Sequence, residues 1–214
     1  RTGIPYLLLD GSLAGTAALY RRLGDLLGVP QPAATLARYA DETMAEAARR
    51  LAAIPQRPRV YYGRGADGLE TAPEGSIVAE ILAAVGAVNV AGKSTGGGER
   101  TFVPVTAAEL RGWNPEVILT SEAAFGRALA GGGAWGDLRA VGDRRVYLAP
   151  RLPFGWIDEP PGVNRLLGVR WLLALLYPEP AHDDMKATVG SFYELFYHRR
   201  PSGAEIARLL APAP

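Results

Sequence analysis

"RVYYGRGADGLETAPEGSIVAEILAAVGAVNVA" spans residues 59–91 and decides the fold. Its two ends, "RVYY" (59–62) and "VNVA" (88–91), are short runs rich in β-branched and aromatic residues, which suit a pleated, half-buried surface. Between them, over 77–85, apolar positions recur at helical spacing. Strand, helix and strand in that order predict a crossover joining two parallel strands, since antiparallel neighbours need only a short hairpin.

Downstream the pattern repeats. "EVILT" (116–120) and "RVYLA" (145–149) have strand character, and helical spacing covers 107–112, 122–130 and 162–176. Two more helical segments, 183–197 and 202–210, follow. The expectation is an α/β fold, a doubly wound and mainly parallel sheet lobe covered by helices on both faces.

Upstream there is no strand for a long way. From Ser12 the spacing turns helical, with Leu19, Leu23, Leu26 and Leu27 on one face and a stop at Gly28 and Pro30. A second helix is expected over 33–53, its stripe made by Leu36, Ala40, Met44, Ala47 and Leu51. These form a long helical linker that ends at "PQRP" (55–58). "IPYLLLD" (4–10) has the short apolar run of a buried strand with nothing ahead of it to pair with. The chain is therefore expected to start inside a larger fold, with helical segments over 12–56 ahead of an α/β sheet region from residue 57.

With 214 residues, 48% hydrophobic and 21% charged, the chain has the composition of a globular protein with a full core. Its 23 basic and 22 acidic residues give a net charge of +1, too little for long-range attraction to nucleic acid or an anionic membrane surface. No apolar run approaches the ~20 residues of a membrane-spanning helix. Cysteine is absent, which excludes disulfides, thiolate nucleophiles and cysteine-bound zinc.

In a doubly wound sheet, ligands bind beyond the carboxyl ends of the strands, where loops converge and helix N-termini point inward. The corresponding loops are "GRGADGLETAPEGS" (63–76), "GKSTGGGERT" (92–101), "SEAAF" (121–125) and "PRLPFGWIDEPPG" (150–162). Three of them exceed the usual length of about 2–6 residues for such connections. With Tyr62 immediately ahead of the first, they carry Arg64, Glu70, Lys93, Arg100, Arg151, Phe154 and Trp156, a set suited to a large ligand that is partly aromatic and partly anionic. Each also has a plain structural reading: Tyr62 or Trp156 as core, and the arginines and Lys93 as solvated loop charges.

Catalytic signals are weak. "GRGADG" lacks the G-x-G-x-x-G order, and "GKST" (92–95) lacks the leading glycine of a phosphate loop. The two histidines, His182 and His198, lie in the C-terminal helical region, so a serine triad has no evident base and imidazole ligation of a bare metal is disfavoured. No catalytic residue, resident metal or cofactor is expected; a metal would arrive already chelated. Thr106 and Glu109 match a capping box, which gives Glu109 a local role.

In order, spacing and loop wording the chain resembles the substrate-binding proteins of ABC importers for iron chelates, haem and cobalamin, the helical-backbone or class III type. The similar stretches are "LLLDGSLAGTAALYRRLGDLLG" (7–28), residues 59–91, "LRGWNPEVILTSEAAF" (110–125) and "RVYLAPRLPFGWIDEPPGVNRLLGVRWLLALLYP" (145–178). The resemblance implies two α/β lobes joined by a long helix, with ligand in the cleft between them; on this chain it implies 1–11 as the last strand of an N-terminal lobe not contained in these residues, 12–56 as helical linker, and 57–214 as a C-terminal α/β lobe with terminal helices. On this chain it implies that Tyr62, Arg64, Glu70, Arg151, Phe154 and Trp156 face the ligand, with prolines holding Phe154 and Trp156 in place before binding. The expected ligand is a chelated metal, as a ferric siderophore, haem or corrinoid, and the macromolecular partner is a permease; no nucleic acid partner is expected. The location implied is periplasmic or otherwise extracytoplasmic, free or lipid-anchored. Members dock through one acid per lobe, often seven residues before the Pro of an "NP" pair. Counting back from Pro115 that position holds Ala108, so either Glu109 beside it substitutes or docking uses other acids such as Glu159, Glu99 or Glu122, with Glu109 and Glu159 the leading candidates. Two alternatives stay open: a small α/β enzyme acting on an anionic or nucleotide-like substrate, and a folded scaffold without measurable affinity of its own.

Overall fold

The computed structural model describes residues 3–4, 6–93, 101–178 and 184–211. Alternation along two central strands sets the architecture. In β1 (Arg59–Arg64) Val60 and Tyr62 enter one core and Tyr61 the other; in β5 (Val117–Thr120) Val117 and Leu119 join the first and Ile118 the second. A strand buried on both faces needs cover on both. The remaining strands are β2 (Glu70–Thr71), β3 (Val88–Asn89), β4 (Val103–Pro104) and β6 (Val146–Leu148).

β1 pairs in parallel with β5, Tyr62 opposite Leu119, and β5 in parallel with β6, Thr120 opposite Leu148. On its other edge β1 divides its length. Arg59 and Val60 pair in parallel with β3, while Gly63 and Arg64 pair antiparallel with β2, which pairs antiparallel with β4. The mainly parallel sheet expected from the sequence is present, and β2 and β4 are additions to it. Each is two residues long, too short for a period of two to register.

The first face is covered by α3 (Glu80–Ala84), α7 (Asn164–Leu176) and α8 (Met185–Tyr197), with Leu82, Leu166, Leu173 and Phe192 in its core. The second is covered by α4 (Ala107–Trp113), α5 (Ala123–Ala130) and α6 (Arg139–Gly142), with Leu110, Phe125, Leu129 and Ala140 inward. α9 (Gly203–Leu209) packs on α8.

Ahead of the sheet lie two helices, α1 (Thr16–Leu27) and α2 (Pro30–Ala53). Gly28 ends α1 at φ 68°, and Pro30 starts α2 at a position where its missing N–H costs nothing, three residues ahead of the expected start. The two helices approach closely at Gly24, where a Cβ would stand 2.3 Å from that of Ala33. α2 buries a stripe of small residues, Ala33, Ala37, Ala40, Thr43 and Ala47, and packs on α7; Tyr39 meets Phe192 and Phe196 of α8 at 5.7 and 5.3 Å.

The segment ahead of α1 has no strand partner among the described residues. None of the described residues 3–10 is in a strand, and Ile4, Tyr6 and Leu8 are exposed. A strand's hydrogen bonds need such a partner. It is tied down just beyond. Buried Arg165 donates to Gly11 O at 2.7 Å, Ile77 O at 2.9 Å and Glu80 Oε2 at 2.9 Å, and Leu13 N donates to the same Glu80 oxygen at 2.7 Å. The "GGGER" patch, Arg100 and His182 lie outside the described residues.

Candidate ligand-binding edge

β1, β5 and β6 run parallel, so the loops after all three emerge at one edge of the sheet. They bring Arg64, Ser121 and residues 150–162 together. Arg64 ends β1 with its side chain 18% exposed, and one of its terminal nitrogens is paired with Asp158 Oδ2. Its other terminal nitrogen lies 3.1 Å from Glu159 Oε1, and its Nε is 3.9 Å from Glu70 Oε2. Arg151 approaches the second oxygen of Glu159 at 2.5 Å and donates to Ser121 O at 3.0 Å. Phe102 lies under the Arg64 guanidinium, 4.2 Å from ring centroid to Cζ. Burial alone would lower the pKa of Arg64, but the charges of Asp158 and Glu159 outweigh it and hold the guanidinium above its ordinary value.

Of the residues expected to face ligand, Arg64, Glu70, Arg151 and Phe154 stand at this edge, with Phe154 half exposed. Tyr62 and Trp156 do not reach the surface, being 1% and 0% exposed. Their expected contact with ligand gives way to a supporting one. The Tyr62 hydroxyl shares a hydrogen bond with Ser121 Oγ at 2.9 Å; burial, then the charge of Asp158, push its phenol well above the ordinary value and keep it neutral. Trp156 packs edge-on to Trp171 of α7, with 6.3 Å between centroids. Its carbonyl rests on α7 at Gly168, where a Cβ would stand 1.9 Å from the Trp156 oxygen, so only glycine permits the approach.

The proline-rich loop is thus a fixed shelf. Trp156 N donates to Pro150 O at 3.0 Å, Asn164 Nδ2 to Phe154 O at 2.8 Å, and the Tyr193 hydroxyl to Leu152 O. Both Leu152–Pro153 and Glu159–Pro160 are cis. Glu159 sits at φ 65°, a left-handed conformation that costs a non-glycine residue about 1–2 kcal/mol.

The two docking candidates differ. Glu109 is exposed and closes the capping box, accepting from Thr106 N and Thr106 Oγ1, each at 2.7 Å. Those bonds, the backbone one first, hold its carboxyl below the usual range. Glu159 instead faces the two arginines. Asp158 and Phe102 were not singled out as site residues from sequence: Asp158 is 94 positions from Arg64, and only the fold pairs them. A separate cavity of about 910 Å³, lined by Asp10, Ser12, Glu74, Glu80 and Lys93 among others, is the poorer place for an anion, with three carboxylates against one ammonium. Among the described residues no group of three or more His, Cys, Asp or Glu is placed to hold a metal ion.

No family model matches the chain. It is 30% identical over 146 residues, 66% of its length and 39% of the relative's, to molybdate-binding protein MolA of Haemophilus influenzae. Among solved structures it is similar to an ABC transporter solute-binding protein from Sulfurospirillum deleyianum, with TM-score 0.90 and 29% identity over 97% of this chain and 65% of that one. It is also similar to a periplasmic solute-binding protein from Veillonella parvula, with TM-score 0.79 and 27% identity over 97% and 64%. The chain therefore spans less than two thirds of the length of each of these proteins. All three are solute-binding proteins rather than enzymes. In sequence and fold the chain is similar to solute-binding proteins of ABC transporters.

Proposed function

We propose that this protein is the solute-binding component of an ABC importer, that it acts on the periplasmic side, and that it captures a metal-bearing anion and passes it to a permease. The observation that carries the ligand class is the pair Arg64 and Arg151 at the carboxyl ends of the parallel strands, flanked by Phe102 and by half-exposed Phe154. Guanidinium groups match the oxygens of carboxylates and other oxyanions in planar, two-point contacts, and aromatic rings add area against a bulky ligand. A chelated metal, such as a ferric siderophore with carboxylates or catecholates, haem with its propionates or a corrinoid with its phosphodiester, fits both features. In this reading α1 and α2 are the link between two lobes and residues 57–214 are one of them.

The kinship to a molybdate-binding protein favours a second reading, in which the ligand is a small metal oxyanion held by the arginines alone. Calorimetric titration of the full-length protein with iron(III) citrate, haem, cobalamin and molybdate separates the two. Saturable one-to-one binding of one of the first three supports the chelate; binding of molybdate alone supports the oxyanion. Heat of dilution only, with all four, contradicts both.

A further inference from the structure

We propose that Glu159 is an internal stand-in for the ligand's anionic group: its carboxylate holds Arg64 and Arg151 in the free protein and leaves them when an oxyanion binds. This rests on the reading of the edge as the ligand site. The geometry is that of a bridging anion, with one oxygen 3.1 Å from Arg64 and the other 2.5 Å from Arg151. The two guanidiniums face three carboxylates, those of Glu70, Asp158 and Glu159, so an incoming anion meets arginines that are already neutralised.

Among these carboxylates only one combines the needed properties. Asp158 is sealed at 1% exposure and, as the direct partner of Arg64, stays in place. Glu70 is 3.9 Å from Arg64, too far for a hydrogen bond. Glu159 touches both arginines, has a side chain 22% exposed, and extends from a backbone at φ 65° that a glutamate does not adopt by preference. Such a conformation persists where surrounding contacts impose it, and here they include the two ion pairs and a hydrogen bond from Gly155 N to Glu159 O at 3.3 Å. Arg64 Nε, buried and without a hydrogen-bond partner among the described residues, is a further donor for the replacing ligand.

Selectivity follows. Exchange of one carboxylate for another gains nothing, so acetate does not open the site. A ligand with several oxygens, able to engage Arg64 and Arg151 together, does.

The test is calorimetric titration of full-length wild type, Glu159→Gln and Glu159→Gly with two probes, molybdate and iron(III) citrate, after thermal melts have shown that the variants fold. Glutamine keeps the shape without the charge, and glycine also accepts the backbone conformation. The expected result is affinity for at least one probe raised about tenfold or more in both variants, because the competent fraction of the site rises toward one. Binding by both variants where wild type shows none also supports the stand-in, and then only the identity of the natural ligand fails. Wild-type binding that the variants leave unchanged or weaken overturns the stand-in and leaves the proposed function standing. Folded variants that bind neither probe, beside a wild type that binds neither, overturn both.

Discussion

Arg64 and Asp158 form the least dispensable contact at the binding edge, because Asp158 is sealed from water and its charge needs a near partner. Removing one side of a buried pair leaves an uncompensated charge, which costs about 3–5 kcal/mol; removing both costs much less. Arg64→Ala is expected to fall toward the lower end of that range, its guanidinium being 18% exposed, and Arg64→Ala with Asp158→Ala is expected to recover part of the loss in urea unfolding. Additive losses would show that the pair is not coupled. At this scale the sequence disclosed the types of residue at the edge and not their depth. Arg64, Arg151 and Phe154 sit at or just beyond the ends of strands, and that position marked them. Tyr62 and Trp156 carried the same mark and are buried: Tyr62 points into the core by the alternation of β1, and Trp156 turns down because Gly168, 12 residues beyond it, has no side chain to keep the loop off.

Helices and strands depend on local devices that can be tested one at a time. Gly24→Ala would drive a methyl group into Ala33 and force α1 off α2, an overpacking cost of about 1–3 kcal/mol. Gly112→Ala, in α4 with nothing within 4 Å of the added carbon, is the control and is expected to stabilise by about 0.5–1 kcal/mol. Thr106→Ala removes the N-cap of α4 and is expected to cost about 1 kcal/mol. Thermal or denaturant melts check all three, and equal effects of the two glycine replacements would contradict the close crossing of α1 and α2. The capping box and the stop at Gly28 were legible because their signals are local in sequence. β2, β4 and α6 were not legible, being two, two and four residues long and held in place by tertiary neighbours rather than by a periodic pattern.

Across the whole molecule α1 and α2 are coupled to α8 through aromatic rings, and that coupling carries a pH signature. Tyr20 of α1 lies 6.1 Å from Phe196 of α8, and burial, with a smaller push from Tyr197, raises its pKa from 10.0 to about 12. A tyrosine whose folded value is raised contributes stability that is complete below the unfolded value of 10.0 and lost as pH rises toward about 12. Melting temperature is therefore expected to fall across that window, and Tyr20→Phe to flatten part of the fall. At the acid end, hydrogen bonds from Ser202 N and then from Arg199 lower the Glu205 carboxyl to about 2. Its contribution is complete above the ordinary value of 4.5 and lost as pH falls toward 2, a loss that Glu205→Gln is expected to remove. The alternation of strands and helices made the doubly wound lobe legible at this scale. The cluster of Arg64, Arg151, Asp158 and Glu159 was not, because it joins the ends of strands far apart in sequence.

The central claim is that ligand binds where the loops after β1, β5 and β6 converge. Hydrogen exchange of the full-length protein, measured with and without a saturating ligand found by titration, tests it most directly. Slower exchange confined within these residues to 63–74, 121–125 and 150–162 is the predicted result. Protection around Asp10, Glu80 and Lys93, or on α8 and α9, with those loops unchanged, would contradict it.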